Sequence, residues 1–486
     1  MKRDPEAASP SFVTVSPPPL PMPWIRVADG APYFLTEDGR PWAPIGQNDA
    51  ISWTEFAGLF RRRDLDSVER HLENLRRQGV TCLRLMMEYA QVRHRYIERP
   101  VGTFVPAMVR LWDDLFALCE KHGLRILLTP FDTFWMWLHW RWHPYNRANG
   151  GPLGHPSAAL TCPQTREAIK GRLTFAVERW GGSGALFAWD LWNEIHPAHG
   201  GDSAEPFPDF ITDLSHHVRT LELRLYGRSH PQTVSLFGPE LIWRAHMEME
   251  EPIFRHPDLD FATIHIYEKG TIDHPADTVA PAEAMGRIVR SSLAEIRDAR
   301  PFFDSEHGPI HTFKDHKRTL PEPFDDEYFR HLQWAHLASG GAGGGMRWPN
   351  RHPHILTAGM RRAQGAMAAF LPLIDWSRFR RVNLNAEIGT SADAVLAFGC
   401  GDREQAVLWL VRRDTIRRDG TLAPDAPPHE LTVTVPGLDA GRYRVTAWDT
   451  KAGGETEIFE AEAADGMLRL EGLRLSTDLA LAIRPL

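Results

Sequence analysis

Along most of the chain, apolar positions alternate between two textures. In "DLDSVERHLENLRRQGVTCLRLMM", Leu65, Val68, Leu72 and Leu75 recur every three or four positions, the spacing that lines one face of a helix. Gly79 supplies the helix stop, and "VTCLRLMM" then runs almost without a polar break, as a strand buried on both faces does. The plan repeats: Met108, Leu111, Leu115 and Leu118 predict a helix closed by Gly123, with the strand "LRILLTPF" after it. The same reading from about Trp42 to Trp376 yields "PWAPIG", "TCLRLM", "RILLTP", "LFAWDLW", "TVSLFG", "FATIHIY", "PFFDSE" and "GGGMRW" as eight strands separated by helical patterns. Eight such units predict a closed (β/α)8 TIM barrel rather than an open doubly wound sheet, and no GxGxxG follows the first strand. The stretch "ILTAGMRRAQGAMAAFLPLI" is expected to be the helix that closes the barrel.

Beyond about Arg380 the pattern shortens to "AVLWLV", "ELTVTV", "GRYRVTAWDT", "TEIFEA", "MLRLEG" and "LALAIR", punctuated by Gly, Asp and Pro. This predicts a small all-β sandwich that buttresses the barrel, with Trp409, Tyr443 and Trp448 on strand periods and therefore in its core. The expected organisation of this α/β chain is a Pro-rich arm over 1–24, the catalytic barrel over 25–378 and the sandwich over 379–486. The arm, "MKRDPEAASPSFVTVSPPPLPMPW", has a basic start but no apolar core of signal-peptide length, and reads as disordered or extended. No repeat of fixed period occurs, and the low-complexity pieces are this arm and "SGGAGGG", Ser339 to Gly345.

Composition narrows the function classes. A chain of 486 residues is too long for one ordinary core, which agrees with two domains. With 43% hydrophobic and 24% charged residues and a net charge of -8, neither nucleic acid nor an anionic membrane is an expected partner. Cys82, Cys119, Cys162 and Cys400 lack CxxC spacing and indicate neither a disulfide framework nor a zinc site. No run of about 18 apolar residues predicts a membrane span, and a cytoplasmic protein is the expectation. Nothing in the pattern specifies an oligomeric state.

In a barrel, the polar residues at the C-terminal strand ends share one pocket. Here they are Arg84, Asn193 and Glu194, His265 and Tyr267, Glu306, and Trp348. His265 and Tyr267 alternate with Ile266, so both point to one face. Two carboxylates with an arginine, an amide, a tyrosine and a tryptophan are the kit for cleaving a glycosidic bond, which needs no metal and no cofactor. The apolar approach "ALFAWDLWNE" should help keep Glu194 protonated, while Arg84 and Tyr267 hold Glu306 ionised. Asp132, Trp135 and Trp137 join the substrate-binding candidates from the loop "FDTFWMWLHWRWHPYNRANGGPLG", which also carries Trp140 and Trp142 and is expected to overhang the pocket. His139, His143, His155, His196 and His199 gather on these loops without zinc spacing, and "EHGPIH", Glu306 to His311, only superficially resembles a metal motif.

These motifs, one per strand and in order, resemble glycoside hydrolase clan A, the retaining (β/α)8 hydrolases, and are most similar in layout to family 5 and its uncharacterised relatives. "WDLWNE" resembles the strand-four motif, which implies that Asn193 binds the sugar 2-hydroxyl and Glu194 is the acid/base. "FFDSEHG" resembles the strand-seven motif and implies that Glu306 is the nucleophile. Arg84 in "CLRLM", His265 and Tyr267 in "IHIY", and Trp348 in "GMRWPN" match further positions. Strand three departs from the pattern: where family 5 usually has a histidine, "ILLTPFDTF" has Phe131 and then Asp132. The expected function is a retaining hydrolase of β-type glycosidic bonds in an oligosaccharide or glycoside. The alternatives are a transglycosylase on the same scaffold and a catalytically inactive carbohydrate-binding protein.

Overall fold

The computed structural model describes residues 21–88, 95–268, 276–309, 319–351 and 353–486. It opens with a three-stranded antiparallel sheet of β1 (Ile25–Val27), β2 (Phe34–Thr36) and β3 (Pro41–Trp42). Eight parallel strands follow: β4 (Gly46–Asp49), β5 (Cys82–Met86), β6 (Arg125–Thr129), β7 (Leu186–Asp190), β8 (Gln232–Thr233), β9 (His265–Glu268), β10 (Glu306–Pro309) and β11 (Met346–Arg347). Their order is β8-β7-β6-β5-β4-β11-β10-β9. A parallel bridge between Phe237 and His265, with His265 N donating to Leu236 O and Gly238 N to His265 O, both at 2.8 Å, joins the end strands and closes the TIM barrel.

The helices return along the outside where the apolar spacing places them. In α1 (Leu65–Arg77) the buried residues are Val68, Leu72 and Leu75, and Gly79 follows at φ +81°. In α2 (Pro106–His122) Met108, Leu111 and Leu115 are buried, Leu118 is half-buried, and Gly123 ends the helix in the left-handed region. Further along are α3 (Thr133–Leu138), α4 (Pro163–Trp180), α5 (Phe207–Tyr226), α6 (Pro239–Trp243), α7 (Ala280–Glu295), α8 (Glu322–Ala338) and α9 (Ala358–Phe370). The last of these occupies the expected closing stretch, capped by the Thr357 side chain.

Two expectations shift. "PWAPIG" was expected to be the first barrel strand, but Pro41 and Trp42 pair antiparallel with β2, and the barrel strand is the buried "GQND" of β4. Gly46 permits this, since a Cβ there would lie 1.7 Å from Cys82 O on the adjacent strand. At the end of the expected N-terminal arm, Trp24 is buried and stacks on His230, ring centroids 3.6 Å apart. Residues 1–20 of that arm lie outside the described residues.

The C-terminal strands are β12 (Val382–Asn383), β13 (Gly389–Thr390), β14 (Val395–Gly401), β15 (Ala406–Arg412), β16 (His429–Pro436), β17 (Gly441–Asp449), β18 (Gly454–Ala464), β19 (Met467–Leu475) and β20 (Asp478–Pro485). They form one nine-stranded antiparallel sheet in the order β12-β14-β15-β20-β17-β18-β19-β16-β13. The pairing of β18 with β19 is confined to Ala463–Leu468 and Ala464–Met467. The sheet folds over there, bringing Leu408 and Leu410 of β15 into one core with Val433, Leu468 and Leu470.

Candidate active site

Arg84 organises the C-terminal face of the barrel. It sits on β5 inside an unbroken buried run, so its guanidinium is fully desolvated and needs partners on every side. Nη1 donates to Asn48 Oδ1 and Glu306 Oε2, both at 2.8 Å. Nη2 donates to Asp190 Oδ2 at 2.7 Å, to Asn193 Oδ1 and, more weakly, to Ser235 Oγ at 3.3 Å. One cation thus ties together residues from or just beyond five strands, β4, β5, β7, β8 and β10.

Glu306 opens β10, and its second oxygen accepts a 2.5 Å hydrogen bond from the Tyr267 hydroxyl. His265, two positions before Tyr267 on the same face of β9, places Nδ1 2.7 Å from Glu194 Oε1 and 3.7 Å from Glu306 Oε2. One ligand atom each of Glu194, His265 and Glu306 lies within 4.8 Å of the others. Glu194 itself stands where the chain leaves β7, at φ 48°, with its backbone N–H donating to Ser235 Oγ at 3.1 Å. A non-glycine residue in that left-handed conformation costs about 1–2 kcal/mol and is retained because the surroundings fix it.

Burial raises both carboxyls. Glu194 is pushed up to about 7, burial outweighing the opposing charge of Arg84. Glu306 is also raised by burial, with His265 and Arg84 opposing. His265 is itself lowered to about 4 by burial and is neutral at pH 7, so the charge that favours ionised Glu306 belongs to Arg84. Arg84 and Tyr267, expected to hold Glu306 ionised, do contact it, but they work against a desolvation cost that the sequence did not display.

Asp132, at the end of strand three, caps α3 by accepting from Trp135 N and also accepts from Asn193 Nδ2. It is fully buried, with its pKa raised well above the carboxylate range by that burial. Behind it, Glu88 accepts from Asp132 N at 3.3 Å, from Arg172 Nη1 at 2.5 Å and contacts His143 Nε2 at 3.0 Å. Trp348 packs edge-on against Trp53 at 5.4 Å, and Trp135 joins the same cluster with Ala50 and Met86. Trp137 is placed elsewhere, between His155 at 5.1 Å and His199 at 5.5 Å. Trp140 lies against His143.

The loop histidines do not converge: His143 is engaged by Glu88, His199 is buried against Trp192, and His196 faces Glu240. Among the described residues, the groupings spaced to hold a metal are Glu194 with His265 and Glu306, and Asp49 with Glu55 and His71. The first already has the Arg84 cation on Glu306, which competes with any metal charge there. His311 of "EHGPIH" lies outside the described residues. Sequence reasoning missed Asn48, Asp190, Ser235 and Trp53. Asp190 was visible as the lone polar residue inside the apolar run "LFAWDLW", and Ser235 as a polar residue inside "TVSLFG".

No protein-family model matches the chain, and no curated protein matches it. Solved structures do match in fold. A structure described as a glycoside hydrolase has a TM-score of 0.60 at 14% identity, covering 95% of this chain and 97% of the other. A glycoside hydrolase family 5 structure from Bacteroides vulgatus ATCC 8482 has a TM-score of 0.61 at 12% identity, covering 95% and 94%. The endo-β-1,4-mannanase from Thermotoga petrophila has a TM-score of 0.51 at 14% identity, covering 89% and 92%. In fold, the chain is similar over nearly its whole length to glycoside hydrolases, a family 5 structure among them.

Proposed function

We propose that this protein is a retaining glycoside hydrolase that cleaves β-type glycosidic bonds of an oligosaccharide or glycoside by double displacement. The observation that carries the reading is that a carboxylate oxygen of Glu194 and one of Glu306 lie within 4.8 Å of each other, well short of the roughly 6.5–9.5 Å separation of an inverting pair and favouring a nucleophile and an acid/base on one sugar. The fold neighbours described as a family 5 glycoside hydrolase and a β-1,4-mannanase support it.

Glu306, ionised beside Arg84, attacks the anomeric carbon while Glu194 gives its proton to the departing oxygen. A glycosyl ester on Glu306 results. Glu194, now ionised, takes a proton from water as that water attacks, and Glu306 is released. Neutral His265 serves both states, donating from Nδ1 to ionised Glu194 or accepting from its protonated form. Asn193, its carbonyl on Arg84 and its amide on Asp132, is oriented to meet the sugar 2-hydroxyl with its remaining amide hydrogen.

The test is chemical rescue. Glu306→Ala should lose activity on every substrate. Glu194→Ala should keep the first step for a nitrophenyl glycoside, whose leaving group needs no proton, and stall at the second. Azide should then restore turnover and release a glycosyl azide with the substrate's anomeric configuration. An azide product of inverted configuration, or no rescue of either variant, would overturn the assignment.

A further inference from the structure

The chain carries a net charge of -8, yet one surface of the barrel gathers several arginines. The 3₁₀ segment Thr54–Arg62 leaves β4 through Trp53, which packs on Trp348, and runs outward to Arg61, Arg62 and Arg63. Arg61 and Arg62 are consecutive non-glycine residues at φ 55° and 52°. Glycine would adopt that conformation at lower cost, so the side chains rather than the turn account for the residue type. Arg62 is paired with Asp114 at 2.7 Å. Arg61 and Arg63 are exposed and have no carboxylate within ion-pair distance among the described residues.

Arg95, from the loop after β5, completes the group. Its guanidinium lies 3.6 Å from the centre of the Phe60 ring, which fixes the plane of the fork. It too lacks a carboxylate partner among the described residues. Burial and then the positive charges of Arg63 and Arg61 lower its pKa, the mark of cations held together.

We propose that Arg61, Arg63 and Arg95 form an anion-binding surface for carboxylate- or sulfate-bearing sugar units of a glycan chain whose other end enters the active-site cleft. The proposal rests on the glycosidase reading above. The segment carrying Arg61 and Arg63 follows β4 and the loop carrying Arg95 follows β5, so both leave the barrel on the face where Arg84 gathers Glu306 and Asp190. Planar guanidinium forks suit the two-oxygen faces of carboxylate and sulfate.

Affinity electrophoresis of the full chain tests it, with glucuronoxylan in native and carboxyl-reduced form as probes and phosphatidylserine vesicles as a separate arm. The native polymer should retard the protein at low salt, the reduced polymer should not, and raised salt should abolish the difference. The triple variant Arg61→Gln, Arg63→Gln, Arg95→Gln should bind the acidic polymer about tenfold more weakly, while its melting temperature and its hydrolysis of an uncharged aryl glycoside stay unchanged. Equal retardation by both polymers, unchanged binding by the variant, or binding to vesicles but not to the acidic polymer would overturn the proposal. Arginine-dependent retardation without hydrolysis of any glycoside would keep the anion surface and sink the hydrolase reading instead.

Discussion

Glu194 shows how one residue carries conformation, charge and chemistry at once. Its pKa of about 7 lies above the ordinary 4.5, so the folded state binds that proton more tightly than the unfolded chain. The resulting stabilisation is fully present below about pH 4.5 and is lost as pH rises through about 7. Glu194→Gln, always neutral, escapes the loss: its melting temperature should match the parent's near pH 5 and exceed it above about pH 8, by the equivalent of roughly 2–3 kcal/mol. Equal melting temperatures at both pH values would show that Glu194 is not held protonated. If Glu194 is the proposed acid, the same titration puts the alkaline limb of kcat/KM near 7, because protonation of the departing oxygen needs the acid form. Arg84 behaves differently. With Asp190 and Glu306 both buried on its guanidinium, Arg84→Ala should cost about 3–5 kcal/mol of stability as well as activity, and a variant that melts like the parent would refute the hub. Glu194, Glu306, Arg84, His265 and Tyr267 were legible because each is a polar residue in or beside a short apolar run. Asn48 was hidden by the misplaced first strand, and the contact of Asn193 with Asp132 joins segments sixty-one positions apart that no local pattern relates.

Elements with many periodic positions were read well, and short ones were not. The helices α1 and α2 bury the residues their spacing marked. The strands β1 to β3 are two or three residues each, too short to show a period, so the sheet they form was invisible. That sheet inserts Phe34 into the N-terminal end of the barrel, with ring centroids 5.0 Å from Phe187, 5.4 Å from Phe261 and 6.2 Å from Phe303. Removing this buried ring should cost about 3–5 kcal/mol. Because the plug lies at the opposite end from Glu194 and Glu306, the folded fraction of Phe34→Ala should retain the parent's kcat and KM, and a selective loss of kcat would contradict a purely structural plug. "SGGAGGG" was read as low complexity. Instead it is a buried turn into β11: Gly343 and Gly345 have φ of 93° and 72°, and a Cβ on them would meet Pro44 O at 2.4 Å and Asp304 Oδ2 at 2.8 Å. Composition suggests a linker there, whereas packing demands glycine.

At the scale of the whole molecule, the boundary between barrel and sandwich centres on a strand that is buried on both faces. Along β15, Ala406, Leu408 and Leu410 enter the sandwich core, while Val407, Trp409 and Val411 belong to the core shared with the barrel. Trp448 faces the barrel side too, against Phe370 of α9, so of the three aromatics expected in the sandwich core only Tyr443 lies within it. An ion pair crosses the same boundary: Arg330 Nη1 of α8 donates to Asp478 Oδ2 at 2.5 Å and to Thr450 Oγ1 at 2.7 Å, and Asp478 also accepts from Trp409 Nε1 at 3.1 Å. With both partners buried, Arg330 holds the Asp478 carboxyl far below its usual range, the direction that makes the pair contribute stability above acid pH. Removing the strands after Arg380 would therefore expose the apolar faces of α8 and α9 and leave Arg330 without Asp478 and Thr450. The truncated chain should be insoluble, or melt well below the full chain and bind a dye that reports exposed apolar surface. Arg330→Ala in the full chain isolates the electrostatic part: it strands Asp478 without its cation and should cost about 3–5 kcal/mol, recovered in part by Arg330→Ala with Asp478→Asn. A truncated barrel that is soluble, melts like the full chain and hydrolyses the same glycosides would show that the sandwich does not buttress it.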